Sequence, residues 1–257
     1  MIDPILDPIF YLAAIPAVLI AGISKGGFGG GLGLMAVPLI ALVVGPVEAA
    51  AIMLPILCTM DLFGLAAYRR TCDWRNLGRL LPGAFVGLLI GALTFRWLNA
   101  DAVRLIIGLV AVLFTLQHWF AIGPKRADGK PPGPSYIKGG AWGTLSGFTS
   151  FVAHAGGPPL QFYMLPQKID KTLYVGTTVW FFLAVNYVKL VPYTMLGLFS
   201  AENLGTSLIL LPLAPLGVWA GVKLHTLVSQ QLFYRIAYML LMATGLKLCW
   251  DGVSGLL

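Results

Sequence analysis

The sequence predicts an all-α integral membrane protein made of two homologous halves with inverted topology. Each half is expected to open with a glycine-broken helix, re-entrant or discontinuous, and to continue with three full spans. The chain is 58% hydrophobic and only 11% charged, whereas soluble domains have about 25% charged residues. Its apolar stretches lack the two-residue alternation of a membrane β-barrel, which favours helices. An internal repeat indicates the two halves.

Apolar stretches recur along the whole chain. Most reach the roughly 20 residues that a helix needs to cross a hydrocarbon core of about 30 Å. They cover residues 9–22, 34–45, 47–68, 77–98, 102–120, 139–165, 172–199, 203–224 and 232–250. The opening MIDPILDPIF has acidic residues but no basic ones, so it does not resemble a cleaved signal peptide.

Charge and cysteine content exclude several classes of protein. The net charge of +7 comes from basic residues in short loops between spans, which is topology information and not a nucleic-acid surface. The three cysteines contain no CxxC pair, so we expect neither a metal site nor a disulfide framework. No cofactor and no catalytic residue is expected.

The repeat matches glycines, prolines and polar residues of the two halves in the same order. Coincidence among Gly- and Pro-rich membrane helices is the alternative explanation. The matched pairs are Gly22 with Gly143, Gly26 with Gly147, Pro38 with Pro159, Leu39 with Leu160, Asp61 with Asn186, Tyr68 with Tyr193, Pro82 with Pro212, Gly87 with Gly217, and Gly91 with Gly221. We expect a first repeat over 1–120, a cytoplasmic linker over 121–138 that contains GPKRADGKPPGPS, and a second repeat over 139–257.

Basic residues near the span ends indicate the topology. When the glycine-rich segment of each half enters and leaves the membrane on one side, or crosses twice, most Lys and Arg residues fall on one side of the membrane. The positive-inside rule favours this arrangement. Each half then makes an odd number of crossings, the halves are inverted, and both termini lie on the outer face.

The glycine segment of the first half is too long for one straight span. A helix over residues 4–44 would measure about 60 Å at about 1.5 Å per residue, which is twice the hydrocarbon core. The glycines that weaken it are Gly26, Gly27, Gly29, Gly30, Gly31 and Gly33. We expect a break there whose half-helix N-termini present N–H groups to an anion, beside the positive charge of Lys25.

The second half has an equivalent break in LSGFTSFVAHAGGPPLQF, residues 145–162. Polar side chains accompany it, and prolines and glycines interrupt the helix. The substrate-binding residues predicted from both breaks and the later spans are Ser24, Lys25, Gly26, Gly27, Gly29, Gly30, Thr149, Ser150, His154, Gln161 and Asn186. Ser146 also lies in this second break.

Ionisable residues inside membrane spans are costly and are functional candidates by default. Asp61, His154 and Lys189 are expected to form a coupling and charge network. Three of the ionisable residues have a structural alternative: Lys25 could pair with Asp61, His154 could be a packing histidine, and Lys189 could reach an interface.

Two motifs suggest other chemistry and are discounted. Gly22-Ile-Ser24-Lys25-Gly26 spells G-x-S-x-G, and His154 and Asp61 would complete a triad. That motif needs a strand-to-helix elbow, which this chain does not provide. Gly31-x-Gly33-x-x-Ala36 lacks the preceding strand of a dinucleotide loop.

The chain resembles the TauE/SafE family of sulfite and organosulfonate exporters, related to the 4-toluene sulfonate uptake permeases. The matching segments are GISKGGFGGGLGLMAVPLI (22–40), SGFTSFVAHAGGPPL (146–160), VGTTVWFFLAVNYVKLVPYTMLG (175–197) and PLGVWAGVKLHTLVSQQLFYRIAYMLLMATGLKL (215–248). The resemblance covers essentially the whole chain. The general pattern of the family does not require the Lys of the first motif or the His of the second.

The resemblance implies a secondary transporter that exports a small anion, sulfite or an organosulfonate such as sulfoacetate, across the bacterial inner membrane. It also implies coupling to an ion gradient, with proton or sodium as the ion. A passive anion channel, uptake instead of export, and a structural membrane protein are the alternatives. Besides its substrate the expected partner is the lipid bilayer and not nucleic acid; the oligomeric state stays open, with a homodimer as one option.

Overall fold

The computed structural model describes residues 4–30, 33, 36–41, 43–95, 99–120 and 131–256. Over these residues the chain is helical and contains no strand, which confirms the all-α class. The helices are α1 (Pro8–Gly27), α2 (Ala36–Ile40), α3 (Pro46–Tyr68), α4 (Trp74–Thr94), α5 (Ala100–Trp119), α6 (Tyr136–Ala153), α7 (Gly157–Met164), α8 (Lys171–Met195), α9 (Ala201–Leu210), α10 (Leu213–Leu227) and α11 (Gln230–Leu256). Gly31 and most of the expected linker lie outside the described residues.

Four helices are long and apolar enough to cross a membrane: α1, α3 from Val47, α4 and α8. A fifth span results if α9 and α10, which meet at an angle of 44°, are counted as one broken span. These counts concern the residues that the structure describes. On α4, the side chains of Val86, Leu89 and Leu93 are mostly exposed, as expected of a helix whose outer face contacts lipid.

Both expected helix breaks are present. The first helix is capped by Asp7, whose carboxylate accepts a hydrogen bond from the Ile9 N–H at 2.9 Å, and it ends at Gly27. The sixth ends at Ala153 and is capped by His154, which adopts a left-handed φ of 51° that glycine usually occupies. The next helix starts with Pro158 and Pro159 in its first turn, where the missing N–H groups cost no helical hydrogen bond.

The chain divides into two compact units, and each contains residues of both sequence halves. The first unit is Met1–Asp73 with Thr172–Ser229, and the second is Trp74–Lys171 with Gln230–Leu257. The first unit therefore contains α1–α3 and α8–α10, and the second contains α4–α7 and α11.

Glycines allow the closest helix pair in the first unit. A Cβ atom added to Gly22 on α1 would lie 2.8 Å from the Cα atom of Gly217 on α10, and one added to Gly221 would lie 2.9 Å from the Gly27 nitrogen. Small residues are typical of such contacts because membrane helices associate by close packing. A core of mostly small and branched side chains, which also contains the aromatic ring of Phe10, continues this packing.

The second unit has a matching pair, α4 with α6. A Cβ atom on Gly87 would lie 2.7 Å from the Phe148 nitrogen, and one on Gly147 would lie 2.7 Å from the Ala84 carbonyl carbon. By the sequence repeat, α4 corresponds to α10 and α6 to α1. In each unit, the first helix of one half, α1 or α6, therefore packs on α10 or α4 of the other half.

Candidate functional site

A cleft in the first unit contains an ion pair. Its open space, including its mouth, is about 230 Å³. The lining residues are Lys25, Gly29, Gly30, Met60, Asp61, Gly64, Thr178, Val179 and Phe182.

Lys25 and Asp61 form the ion pair, in which the ammonium donates to the carboxylate. The same ammonium donates to the Leu57 carbonyl at 3.3 Å, and Asn186 donates to the second oxygen of Asp61 at 2.6 Å. Lys25 is 8% exposed and Asp61 is 1% exposed. The structure thus joins α1, α3 and α8 through one buried carboxylate, and places three sequence-predicted residues together.

Lys189 is the second cation of this region. It lies three residues after Asn186 on α8 and is completely buried. Its charge acts on those of Lys25 and Asp61, and on the Cys58 thiol. Asp61 thus contacts the ammonium group from α1 and lies within electrostatic range of the one from α8.

The glycine turn after α1 is held by Ser24. The Ser24 carbonyl accepts from the N–H groups of Phe28 and Gly30 at 2.9 and 3.0 Å, and its hydroxyl accepts from the Gly33 N–H at 3.2 Å. Gly29 and Gly30 have φ values of 65° and 83°, which side chains other than glycine adopt only at a cost. The turn brings its backbone to the cleft beside Lys25.

The end of α1 that reaches the cleft is its C-terminal end, which differs from the expected half-helix N-terminus. A helix C-terminus presents carbonyl groups and a partial negative charge. Tyr68 donates its hydroxyl to the Gly26 carbonyl at 2.7 Å, and the Nδ1 atom of His225 lies 3.1 Å from the Gly27 carbonyl oxygen. Positive charge at this position comes from Lys25 in the last turn, and not from free N–H groups of α1.

The sequence did not single out His225. Its ring lies on α10, is 4% exposed and packs edge-on against the Tyr68 ring at 5.8 Å between centroids. Nε2 lies 3.1 Å from the Thr172 hydroxyl on α8. Since the Gly27 carbonyl can only accept, Nδ1 is the donor there. The available signal was a histidine in the last turn of an apolar helix.

The other predicted residues lie in the second unit, around the break between α6 and α7. Thr149 donates to the Ala155 carbonyl at 3.0 Å, and Ser146 donates to the Gly156 carbonyl at 2.6 Å. Ser150 is buried and its carbonyl accepts from the His154 N–H at 3.2 Å. Gln161 is 1% exposed, and no described residue hydrogen-bonds to either polar atom of its amide.

Comparison with known proteins identifies the family of this chain. The family description "Sulfite exporter TauE/SafE" matches residues 14–248, which include both helix breaks and the buried ion pair. The chain belongs to the TauE/SafE family. It is also 27% identical over 188 residues to the "Probable inner membrane transporter protein TsaS" of Comamonas testosteroni, an alignment that covers 70% of this chain and 73% of the relative. No solved structure matches it.

The family is described as a sulfite exporter and the relative as a probable inner membrane transporter. This agrees with the expectation of a transporter. Among the described residues, no group of three or more His, Cys, Asp or Glu side chains could hold a metal ion.

His225 of this TauE/SafE protein is expected to tolerate asparagine better than glutamine. The Asn amide can donate to the Gly27 carbonyl in place of Nδ1, whereas Gln places its amide near Thr172 and leaves that buried carbonyl without its donor. An unsatisfied buried acceptor costs about 1–3 kcal/mol. Thermal unfolding in detergent should show a lower midpoint for His225→Gln than for His225→Asn; equal midpoints would contradict this role.

Proposed function

We propose that the protein is a secondary transporter that exports a small sulfur-containing anion, sulfite or an organosulfonate, across the bacterial inner membrane. The observation that supports this best is the buried Lys25–Asp61–Asn186 cluster, which lies beside the Gly29–Gly30 turn and opens to a small cleft. Buried ionisable groups in membrane helices are typical of transport pathways. Membership of a sulfite exporter family agrees with an anion as substrate.

Lys25 is the proposed contact for the anion. An ammonium group has three N–H donors, and two of them are directed to Asp61 and to the Leu57 carbonyl. The third is available to a sulfonate oxygen in the cleft, as a charge-assisted hydrogen bond. Asp61 and Asn186 hold the ammonium in place, and Ser24 maintains the glycine turn next to it.

The second unit supplies further proposed contacts. The amide of Gln161 is buried among the described residues without a hydrogen-bond partner, and such groups usually bind a ligand or an ordered water. Thr149, Ser150 and His154 surround the same helix break. We assign these residues to the substrate path, and Asp61, His154 and Lys189 to coupling with a proton or sodium gradient.

The inverted arrangement of the two halves is part of the proposal. The equivalent packing of α1 on α10 and of α6 on α4 supports a structural repeat. With inverted repeats, the loop between α3 and α4 lies in the cytoplasm and both termini lie on the outer face. Cys72 lies in this loop and offers a direct test of its side.

A membrane-impermeant maleimide should label Cys72 in inside-out vesicles and not in intact cells, in a variant with Cys58→Ala and Cys249→Ala. Burial raises the pKa of the Cys72 thiol to about 11, so the thiol is protonated at neutral pH. Maleimide reacts with the thiolate form of the cysteine. The fraction of Cys72 in that form rises about tenfold per pH unit below the pKa. The labelling rate should therefore increase steeply from pH 7 to pH 9. Labelling in intact cells would overturn the proposed topology.

Proteoliposomes test the transport activity itself. We expect the wild type to move sulfite or a sulfonate in response to an imposed proton or sodium gradient. Lys25→Gln should reduce the initial rate at least tenfold, because the anion loses a charge-assisted contact of about 1.5–3 kcal/mol. Lys171→Gln, at the start of α8, is the matched control and should keep wild-type flux. Flux that follows only the anion gradient would favour a passive channel; flux unchanged in Lys25→Gln would remove Lys25 from the path.

A further inference from the structure

The buried cluster carries more positive than negative groups. Counted together with the buried Lys189, the Lys25–Asp61–Asn186 cluster has three ionisable side chains: Lys25, Lys189 and Asp61. When all three are ionised, their formal charges sum to a single positive charge. The hydrogen bond from Asn186 adds no charge, because its side chain is a neutral amide.

Other charged groups on the same helices lie at the helix ends. Glu48 is in the first turn of α3, about 20 Å along the helix from Asp61 at about 1.5 Å per residue. Arg69 and Arg70 follow the other end of α3 and are exposed, as is Lys223 on α10. Water and salt screen exposed charges, so the cluster's own three charges dominate at the cleft.

Among the described lining residues of the cleft, Gly29 and Gly30 contribute only backbone, and the other side chains offer little to a second negative charge. Met60, Val179 and Phe182 are apolar, and the Thr178 hydroxyl donates to the Val175 carbonyl at 2.8 Å. The remaining charged wall residue is Asp61, which repels an anion. A group bound at Lys25 therefore places the rest of its structure against apolar surface, where an unpaired charge is costly.

We infer that the cleft selects a sulfonate with one negative charge over a sulfonate with two. One negative charge neutralises the ionised cluster, and the apolar walls disfavour a second negative charge. This inference rests on the proposed function and specifies its substrate class. It favours hydroxyalkyl sulfonates and hydrogen sulfite, and disfavours sulfoacetate.

Two ligands of similar size separate these classes. Isethionate (2-hydroxyethanesulfonate) has one negative charge at neutral pH, and sulfoacetate has two. Ligand-dependent thermal shifts of the purified full-length protein in detergent give an apparent Kd for each. The wild type should bind isethionate at least tenfold more tightly than sulfoacetate. Equal affinities, or tighter binding of sulfoacetate, would overturn the inference.

Asp61→Asn tests the charge count without removing the hydrogen bonds. The Asn amide accepts from Lys25 and can donate to Asn186 once that amide turns, while the formal charge of the cluster rises by one. The ratio of the two Kd values should move at least tenfold toward sulfoacetate. An unchanged ratio in a folded, ligand-binding variant would overturn the inference.

Lys189→Met is a second test that remains informative if Asp61→Asn does not fold. Removal of the buried ammonium should weaken isethionate binding at least tenfold, although Lys189 does not line the cleft. Lys171→Met removes a lysine from the start of the same helix and should leave both Kd values unchanged. An isethionate Kd that is the same in Lys189→Met and Lys171→Met would overturn the inference.

These outcomes are distinct from failure of the proposed function. If neither sulfonate shifts the unfolding of the wild type and neither crosses proteoliposomes, the assignment of a sulfonate transporter fails. If both bind and are transported without the expected charge preference, the transporter assignment stands and the selection by charge is wrong.

Discussion

Asp61→Ala should destabilise the protein by about 3–5 kcal/mol, because removal of one partner of a buried ion pair leaves the other charge uncompensated. The change leaves the ammonium of Lys25 with the Leu57 carbonyl as its remaining described acceptor, and it removes the acceptor of the Asn186 amide. Thermal or urea unfolding in detergent, with wild-type protein in parallel, measures the loss.

The double variant Lys25→Met/Asp61→Ala is the control for this effect. Replacement of both partners of a buried pair by apolar groups is often nearly neutral for stability, so the double variant should recover much of the loss. If the double variant is as unstable as the sum of its single variants, the ion pair does not explain the cost.

Gly143→Ala should destabilise the contact between α6 and α4 by about 1–3 kcal/mol, the usual cost of overpacking. A Cβ atom at this position would lie 3.1 Å from the carbonyl carbon of Leu80 and even nearer to its oxygen. Because these are backbone atoms, a side-chain rotation cannot relieve the contact and the helices must move apart.

Gly140→Ala on the same helix is the matched control. No atom of the described residues lies within 4 Å of a Cβ atom there, and alanine is favoured over glycine in a helix interior by about 1 kcal/mol. Unfolding in detergent should show equal or higher stability for Gly140→Ala and lower stability for Gly143→Ala. Similar midpoints for the two variants would show that the close approach does not limit side-chain size.

Much of the fold follows from local sequence. Composition and span length indicate membrane helices, of which four are long and apolar enough to cross a membrane among the described residues, and the glycines after Lys25 and the prolines after Gly157 mark the two breaks. The small-residue spacing of Gly217 and Gly221 is typical of close helix contact, and the structure has such a contact there. It does not identify the partner helix, because any helix with a small-residue face could provide the other side.

The site was predictable in part. Lys25 and Asp61 are conspicuous because charges in apolar stretches are rare, and their pairing was the stated alternative to direct ligand contact. The expectation of exposed N–H groups beside Lys25 was wrong for α1, since a helix that runs from residue 8 toward the glycines must present its carbonyl end there. The sequence did not predict a role for His225, because only the fold brings its ring to the Gly27 carbonyl.

The packing of α1 on α10 has a consequence for biosynthesis. Gly27 and His225 are separated by 198 positions in the chain, and ribosomes add about 5–20 residues per second. The first helix therefore waits some tens of seconds, about 10–40 s at that rate, before its partner is made. Until then its glycine-lined face must be covered by lipid, by the insertion machinery or by a temporary neighbour.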